Sequence, residues 1–156
     1  MSSSNQGAAT VAVDLPGAAV AGALTAVGAV AMIASGLFTW VNPIPASFLG
    51  TQIGIDIFYR ASPSIEWPIY ASAAIVGAIL GSLALAGLAT RSPKLTQVAG
   101  GLGILAFGCL LFSVLRSAYG LGFSDIGVGA WLLLVGSFVT LAAGFIAPRS
   151  PRRIRG

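Results

Sequence analysis

The chain has 156 residues, of which 56% are apolar and only 8% charged, with eight basic and four acidic side chains and no histidine. A soluble domain carries about 25% charged residues, so this chain has too little charge to wet the surface of a water-soluble globule. Its 21 glycines follow no Gly-X-Y period, which excludes collagen. A mean hydropathy of +0.94 with long uncharged runs leaves the polytopic membrane class.

Residues 1–16 read as a short polar tail. Nothing before the first apolar run is basic, and that run is longer than the apolar core of a signal peptide, so it reads as a retained helix. Four runs, 17–41, 68–90, 95–115 and 126–148, lack any charge. Each is long enough for a hydrocarbon core, which needs roughly 20 residues. Lipid cannot satisfy exposed backbone N–H and C=O groups, which requires helices, and the runs do not alternate as barrel strands do. The expected fold is all-α: a single domain, 17–148, of four transmembrane helices in an up-down bundle of two hairpins. An outer loop, 42–67, interrupts it, and a basic tail, 149–156, follows.

Arg91, Lys94, Arg149, Arg152, Arg153 and Arg155 fall on one side of this arrangement, against Arg60 and Arg116 on the other. The asymmetry places both termini in the cytoplasm. The four tail arginines serve as an orientation signal and as candidate contacts to anionic lipid. Arg outnumbers Lys seven to one beside an Ala/Gly/Val bias, which points to a high-GC bacterial genome and hence to a bacterial inner membrane.

Small residues surround most of the first span, from Ala18 to Ser35, so an interior, closely packed helix is expected there. The second span has a row Ala74, Ala78, Ser82 and Ala86 beside Ala73, Gly77 and Gly81, with Ile69, Ile79, Leu80, Leu83 and Leu88 opposite. The third opens on Gly100, Gly101 and Gly103. The fourth opens on Gly127 and Gly129 and carries Gly136, Thr140 and Gly144 four apart. Gly77, Gly81, Gly136 and Gly144 are the candidate helix-packing positions. Trp40, Trp67, Tyr70 and Tyr119 are expected at the outer membrane–water boundary as an aromatic belt.

The outer loop is too apolar to float free. Ile53, Ile55, Ile57 and Tyr59 alternate with Gly54, Asp56, Phe58 and Arg60, which fits a short strand. A short interfacial helix with Phe48, Ile55 and Tyr59 on one side fits equally. Phe48, Ile55, Ile57, Phe58 and Tyr59 are the candidate partner-contact residues.

No charged side chain falls inside the four runs, which argues against an ion-coupled pump. Without histidine and with one cysteine, Cys109, neither a histidine nor a cysteine metal site is expected, and no cofactor is. Asp56 and Arg60 are expected to pair locally, and Arg116 with Asp125. No catalytic constellation emerges, and an enzyme is not expected. The leading expectation is a non-catalytic accessory or assembly subunit of a larger bacterial inner-membrane complex, respiratory or cell-envelope. Its expected partners are the lipid bilayer and other membrane subunits, with no nucleic acid. The alternative is a self-associating transporter, channel or lipid carrier, which implies a homo-oligomer; a quinone- or lipid-binding regulator ranks third. On this reading, changing Phe48, Ile55, Ile57, Phe58 and Tyr59 to Ala leaves membrane insertion intact and abolishes partner association; unchanged association in every variant would remove the idea.

Overall fold

The computed structural model describes residues 15–42, 47–60, 68–117 and 121–147. Four helices dominate it: α1 (Leu15–Ala34), α2 (Ala74–Ala89), α3 (Pro93–Leu115) and α4 (Val128–Ile146). Three stretches, Gly17–Leu37, Pro93–Leu115 and Val128–Ile146, are long and apolar enough to cross a membrane, and α2 is a shorter apolar helix. α3 begins where Pro93 occupies its first turn, a position that needs no N–H donor.

The four helices form a closed ring in which α1 touches α2 and α4, and α3 touches α2 and α4. The α1–α4 contact, between the first and last helices, is as extensive as that between α3 and α4. Each helix buries a stripe spaced three and four residues apart. On α1 it runs Ala21, Thr25, Gly28, Met32 and Ser35; on α4 it runs Ala130, Leu133, Ser137, Thr140 and Gly144. Such spacing keeps a seam facing its neighbour along gently crossing helices.

The composition of the two surfaces is inverted relative to a soluble bundle. Ala29, Ala84, Ala99, Ala130 and Ala143 are fully buried, whereas Val27, Val30, Ile79, Leu105, Val135 and Phe145 are more than half exposed. Water would not tolerate a continuous apolar belt of that kind. A bilayer accepts large side chains outside and rewards small ones inside, where they let backbones converge. The chain is thus built as a membrane protein.

Two sequence expectations need correction. α1 is not an interior helix: it is the least buried of the three long ones, with Ala18, Ala19 and Ala23 facing outward beside Val20 and Val27. Small residues on every side conceal in the sequence which face of the helix is buried, and the ring has no central position. On α2 the buried stripe is Ala73, Gly77, Leu80, Gly81, Ala84 and Gly87, whereas Ser82 and Ala86 face outward. A row exactly four apart drifts around a helix of 3.6 residues per turn, and alternating three and four corrects the drift.

The first and second spans are also shorter than their uncharged runs. After Ala34 the chain takes one tight turn, Ser35–Leu37, and enters β1 (Thr39–Val41), which pairs antiparallel with β2 (Phe48–Leu49). On its other edge Val41 bridges Ile126, and Gly127 N–H donates to the Trp40 carbonyl at 2.8 Å. The segment before α2 is likewise held by the outer loop: Ala73 N–H donates to Ile53 O at 2.8 Å and Ala74 N–H to Gly50 O at 3.0 Å. These are donors that a helix start leaves without intrahelical partners. Hydropathy cannot distinguish apolar residues in a helix from apolar residues in such a cap.

Trp40 fastens the cap. It is fully buried, its Nε1–H donates to Ser35 O at 2.8 Å, and Phe58 meets it edge-on at 5.8 Å. Gly50 and Gly129 press against its indole so closely that a methyl on either would overlap the ring. Trp40 therefore does not belong to an interfacial belt, whereas Tyr70 is 80% exposed; Trp67 and Tyr119 lie outside the described residues. Trp40→Ala is expected to cost about 3–5 kcal/mol. Trp40→Phe, which removes one of the two donors to the Ser35 carbonyl and leaves the Phe38 N–H at 3.2 Å, should cost less, about 0.5–1.5 kcal/mol. Thermal unfolding in detergent micelles checks both values and their order.

Candidate functional site

The cap meets the bundle along an apolar groove of about 370 Å³. Ile55, Phe58 and Tyr59 form its cap side, Val76 its α2 wall, and Leu102, Leu105, Ala106 and Cys109 its α3 wall. The groove exists because residues 55–58 make a tight turn, with Ile57 N–H donating to Gly54 O at 3.1 Å and Tyr59 N–H to Asp56 O at 3.0 Å. That turn sends residues four apart in the same direction. Ile53 and Ile57 point into the core at 2% and 1% exposure, whereas Ile55 and Tyr59 stay outside at 37% and 71%.

The five residues expected to contact a partner therefore separate. Ile55, Phe58 and Tyr59 converge on the groove. Ile57 is a core residue and touches nothing outside the chain, a correction to its reading as a contact. Phe48 is half-buried in β2, where it pairs with Val41, away from the groove. No strand runs over 53–59; a short 3-10 helix, Ile55–Phe58, forms instead, with Ile55 and Tyr59 outward. Alternation is interrupted because Gly54 bridges Ser72 and ends the extended stretch.

The charged pairs expected outside the spans also resolve differently. Asp56 is 2% exposed and its backbone carbonyl accepts the N–H of the exposed Arg60 at 2.8 Å. Asp125 Oδ2 accepts the Gly122 N–H at 2.7 Å, and the Arg116 guanidinium lies 5.2 Å from the Phe112 ring centre. Asp125 and Arg116 each find a partner within one turn of themselves, which needs less chain ordering than a bridge across a loop. Among the described residues no three His, Cys, Asp or Glu side chains gather in a metal-holding group.

The four glycines singled out for packing all lie at crossings inside this one chain. A methyl on Gly77 would strike Met32 O, and one on Gly81 would come within 2.6 Å of Ala29 O, both on α1. One on Gly136 would lie 2.7 Å from Gly28 O, and one on Gly144 would lie 2.6 Å from Gln97 Cγ. Arg149, Arg152, Arg153 and Arg155 lie outside the described residues.

No protein-family model, curated protein or solved structure matches this chain. Its functional reading consequently rests on its own geometry.

Periodicity gave no notice of the polar seam inside the bundle. Gln97 Nε2 donates across to Gly144 O at 2.9 Å, tying α3 to α4. Ser137 Oγ donates to Leu133 O at 2.6 Å and also lies 3.4 Å from Met32 Sδ. Thr140, fully buried, holds its hydroxyl against Gly28 with no hydrogen-bond partner. The signal was the row Gly136–Thr140–Gly144, whose hydroxyl lies in a line of glycines. A buried hydroxyl without a partner costs about 1–3 kcal/mol. Thr140→Val is therefore expected to leave the melting temperature unchanged or raise it, whereas Gly28→Ala, which drives a methyl into that hydroxyl, should cost about 1–3 kcal/mol. Unfolding curves of the two variants in one detergent provide the comparison.

Proposed function

We propose that the protein is a non-catalytic accessory or assembly subunit of a larger bacterial inner-membrane complex, spanning the bilayer with all four helices and keeping both termini in the cytoplasm. The carrying observation is the groove between the cap and α3. It is apolar, lies at the outer end of the proposed spans, and is preformed on rigid elements. Backbone hydrogen bonds from Ala73 and Ala74, together with the buried Trp40, hold the cap in place, so little ordering is required when a partner docks. The occupant proposed is a row of apolar side chains from a neighbouring subunit's transmembrane helix, which would cover Leu105, 62% exposed, and Ile55 together.

The filled outer half of the bundle favours this reading over a transporter or channel. Met32, Trp40, Leu110 and Leu133 are fully buried and close the section between the helices. A solute path through one copy has no space there. The groove's thiol, Cys109, and phenol, Tyr59, have no basic residue beside them in the lining to activate either as a nucleophile.

Purification of the full chain in a mild detergent is expected to bring down unlike subunits in fixed stoichiometry. Ile55→Ala with Tyr59→Ala, or Ala106→Trp to fill the groove, should remove them while the melting temperature stays within a few degrees of the parent. A homogeneous homo-oligomer that moves solute in liposomes, or subunits retained by both variants, would overturn the proposal.

A further inference from the structure

A second cavity, of about 460 Å³, opens at the opposite end of the bundle, where α1 and α4 face the turn joining α2 to α3. Its walls are small: Ala21 and Gly22 of α1, Gly87 of α2 and Ala143 of α4. Elsewhere in the bundle such residues admit a neighbouring backbone, as Gly100 does for Leu141 N and Ser137 O. Gly87 does the same here, a methyl on it lying 2.9 Å from Thr96 N, but Gly22 does not: the nearest atom to a methyl there is the flexible tip of Leu88 at 3.5 Å. The room is therefore on the Gly22 side, and the volume lies within the range of small-molecule sites, roughly 300–1,000 Å³.

The polar groups of the cavity are arranged by sign. Thr25 and Thr96 are both 4% exposed, and each spends its hydroxyl proton on a carbonyl of its own chain, Ala21 O at 2.8 Å and Ser92 O at 3.4 Å. Arg91, exposed at the rim, supplies the cationic donors, and among the described residues no acidic side chain lines the cavity. Asp56 and Asp125, the acidic residues among those described, belong to the cap segments at the other end.

The backbone beneath Arg91 makes its side chain conspicuous. Arg91 N–H donates to Leu88 O at 3.1 Å and Ser92 N–H to Gly87 O at 2.8 Å, the pair of bonds that ends a helix through a left-handed residue. That residue is ordinarily glycine, yet here it is arginine at φ 52°. Glycine would meet the same backbone without strain, whereas arginine adds a guanidinium at the rim. A cation above a small-walled, mostly apolar recess suits one ligand chemistry.

We infer that this cavity binds the anionic head, phosphate or carboxylate, of a membrane amphiphile, with Arg91 holding the charge and the upper acyl chain lying against Gly22 and Leu88. The inference is independent of the proposed subunit role, which rests on the other end of the molecule.

Native mass spectrometry of the full chain, loaded separately with phosphatidylglycerol, phosphatidylcholine of the same acyl chains, and inorganic phosphate, tests it. One phosphatidylglycerol per chain is expected, held at least tenfold more tightly than phosphatidylcholine. Arg91→Gly should abolish that preference while the melting temperature holds or rises, because glycine relieves the backbone. Gly22→Leu, which fills the recess and leaves Arg91 in place, should weaken retention by a similar factor. Competition by millimolar inorganic phosphate would support the same head site and identify free phosphate as its source; absence of competition assigns the site to the lipid. Equal retention of the two lipids, an unchanged preference in folded Arg91→Gly, or full retention in folded Gly22→Leu would overturn the inference.

Discussion

The hydrogen bond from the Trp40 indole to the Ser35 carbonyl is the constraint on which the outer half of the molecule depends. It adds a second donor to a carbonyl just past α1 that also accepts the Phe38 N–H at 3.2 Å. It also fixes the largest of the fully buried side chains in the core. Gly50, Gly129 and Phe58 then pack on the ring, and Gly127 donates to the Trp40 carbonyl. One residue thereby joins α1, the cap and the start of α4, three parts of the chain far apart in sequence.

The inner half follows a different rule. Between the helices the side chains are mostly alanine, glycine, serine and threonine, so stability there comes from backbones lying close together and from short local hydrogen bonds. Hydroxyl groups are accommodated by donating to a carbonyl one turn back, as Thr25 does to Ala21 and Ser137 to Leu133. Thr140 is the exception, and it sits where α1 and α4 approach through Gly28 and Gly136. The same small residues produce tight contact at mid-bundle and at Gly87, and open space beside Gly22. The difference is whether a neighbouring helix comes in to meet them.

The two proposed surfaces accordingly differ in character. The cap groove is apolar and rigid, assembled from the 55–59 turn and the outward face of α3. The opposite cavity combines small walls with a cation at its mouth. A subunit that docks through one end and holds an anionic lipid at the other would need no catalytic chemistry of its own.

The number of helices, their apolar character and the small-residue contacts were legible in the sequence, because a bilayer demands long uncharged runs and close packing demands Gly and Ala. Helices α3 and α4 fall within two residues of the runs that announced them. The short ends of α1 and α2 were not legible: Phe38 and Trp40 are apolar enough to continue a helix, and bonds from the distant Gly50 and Gly127 hold them out of one, while Ile69 and Tyr70 sit in a separate 3-10 turn before α2. Likewise, Ile57 and Tyr59 look alike in an apolar loop until a turn sends one inward and the other out. The role proposed for Arg91 also waited on tertiary structure, since a lone arginine in a short turn reads as an orientation signal. Hydropathy is a property of each residue and its near neighbours, and so it specified what the chain dissolves in. Which surfaces converge depends on contacts between residues remote in sequence, and those are settled only when the ring closes.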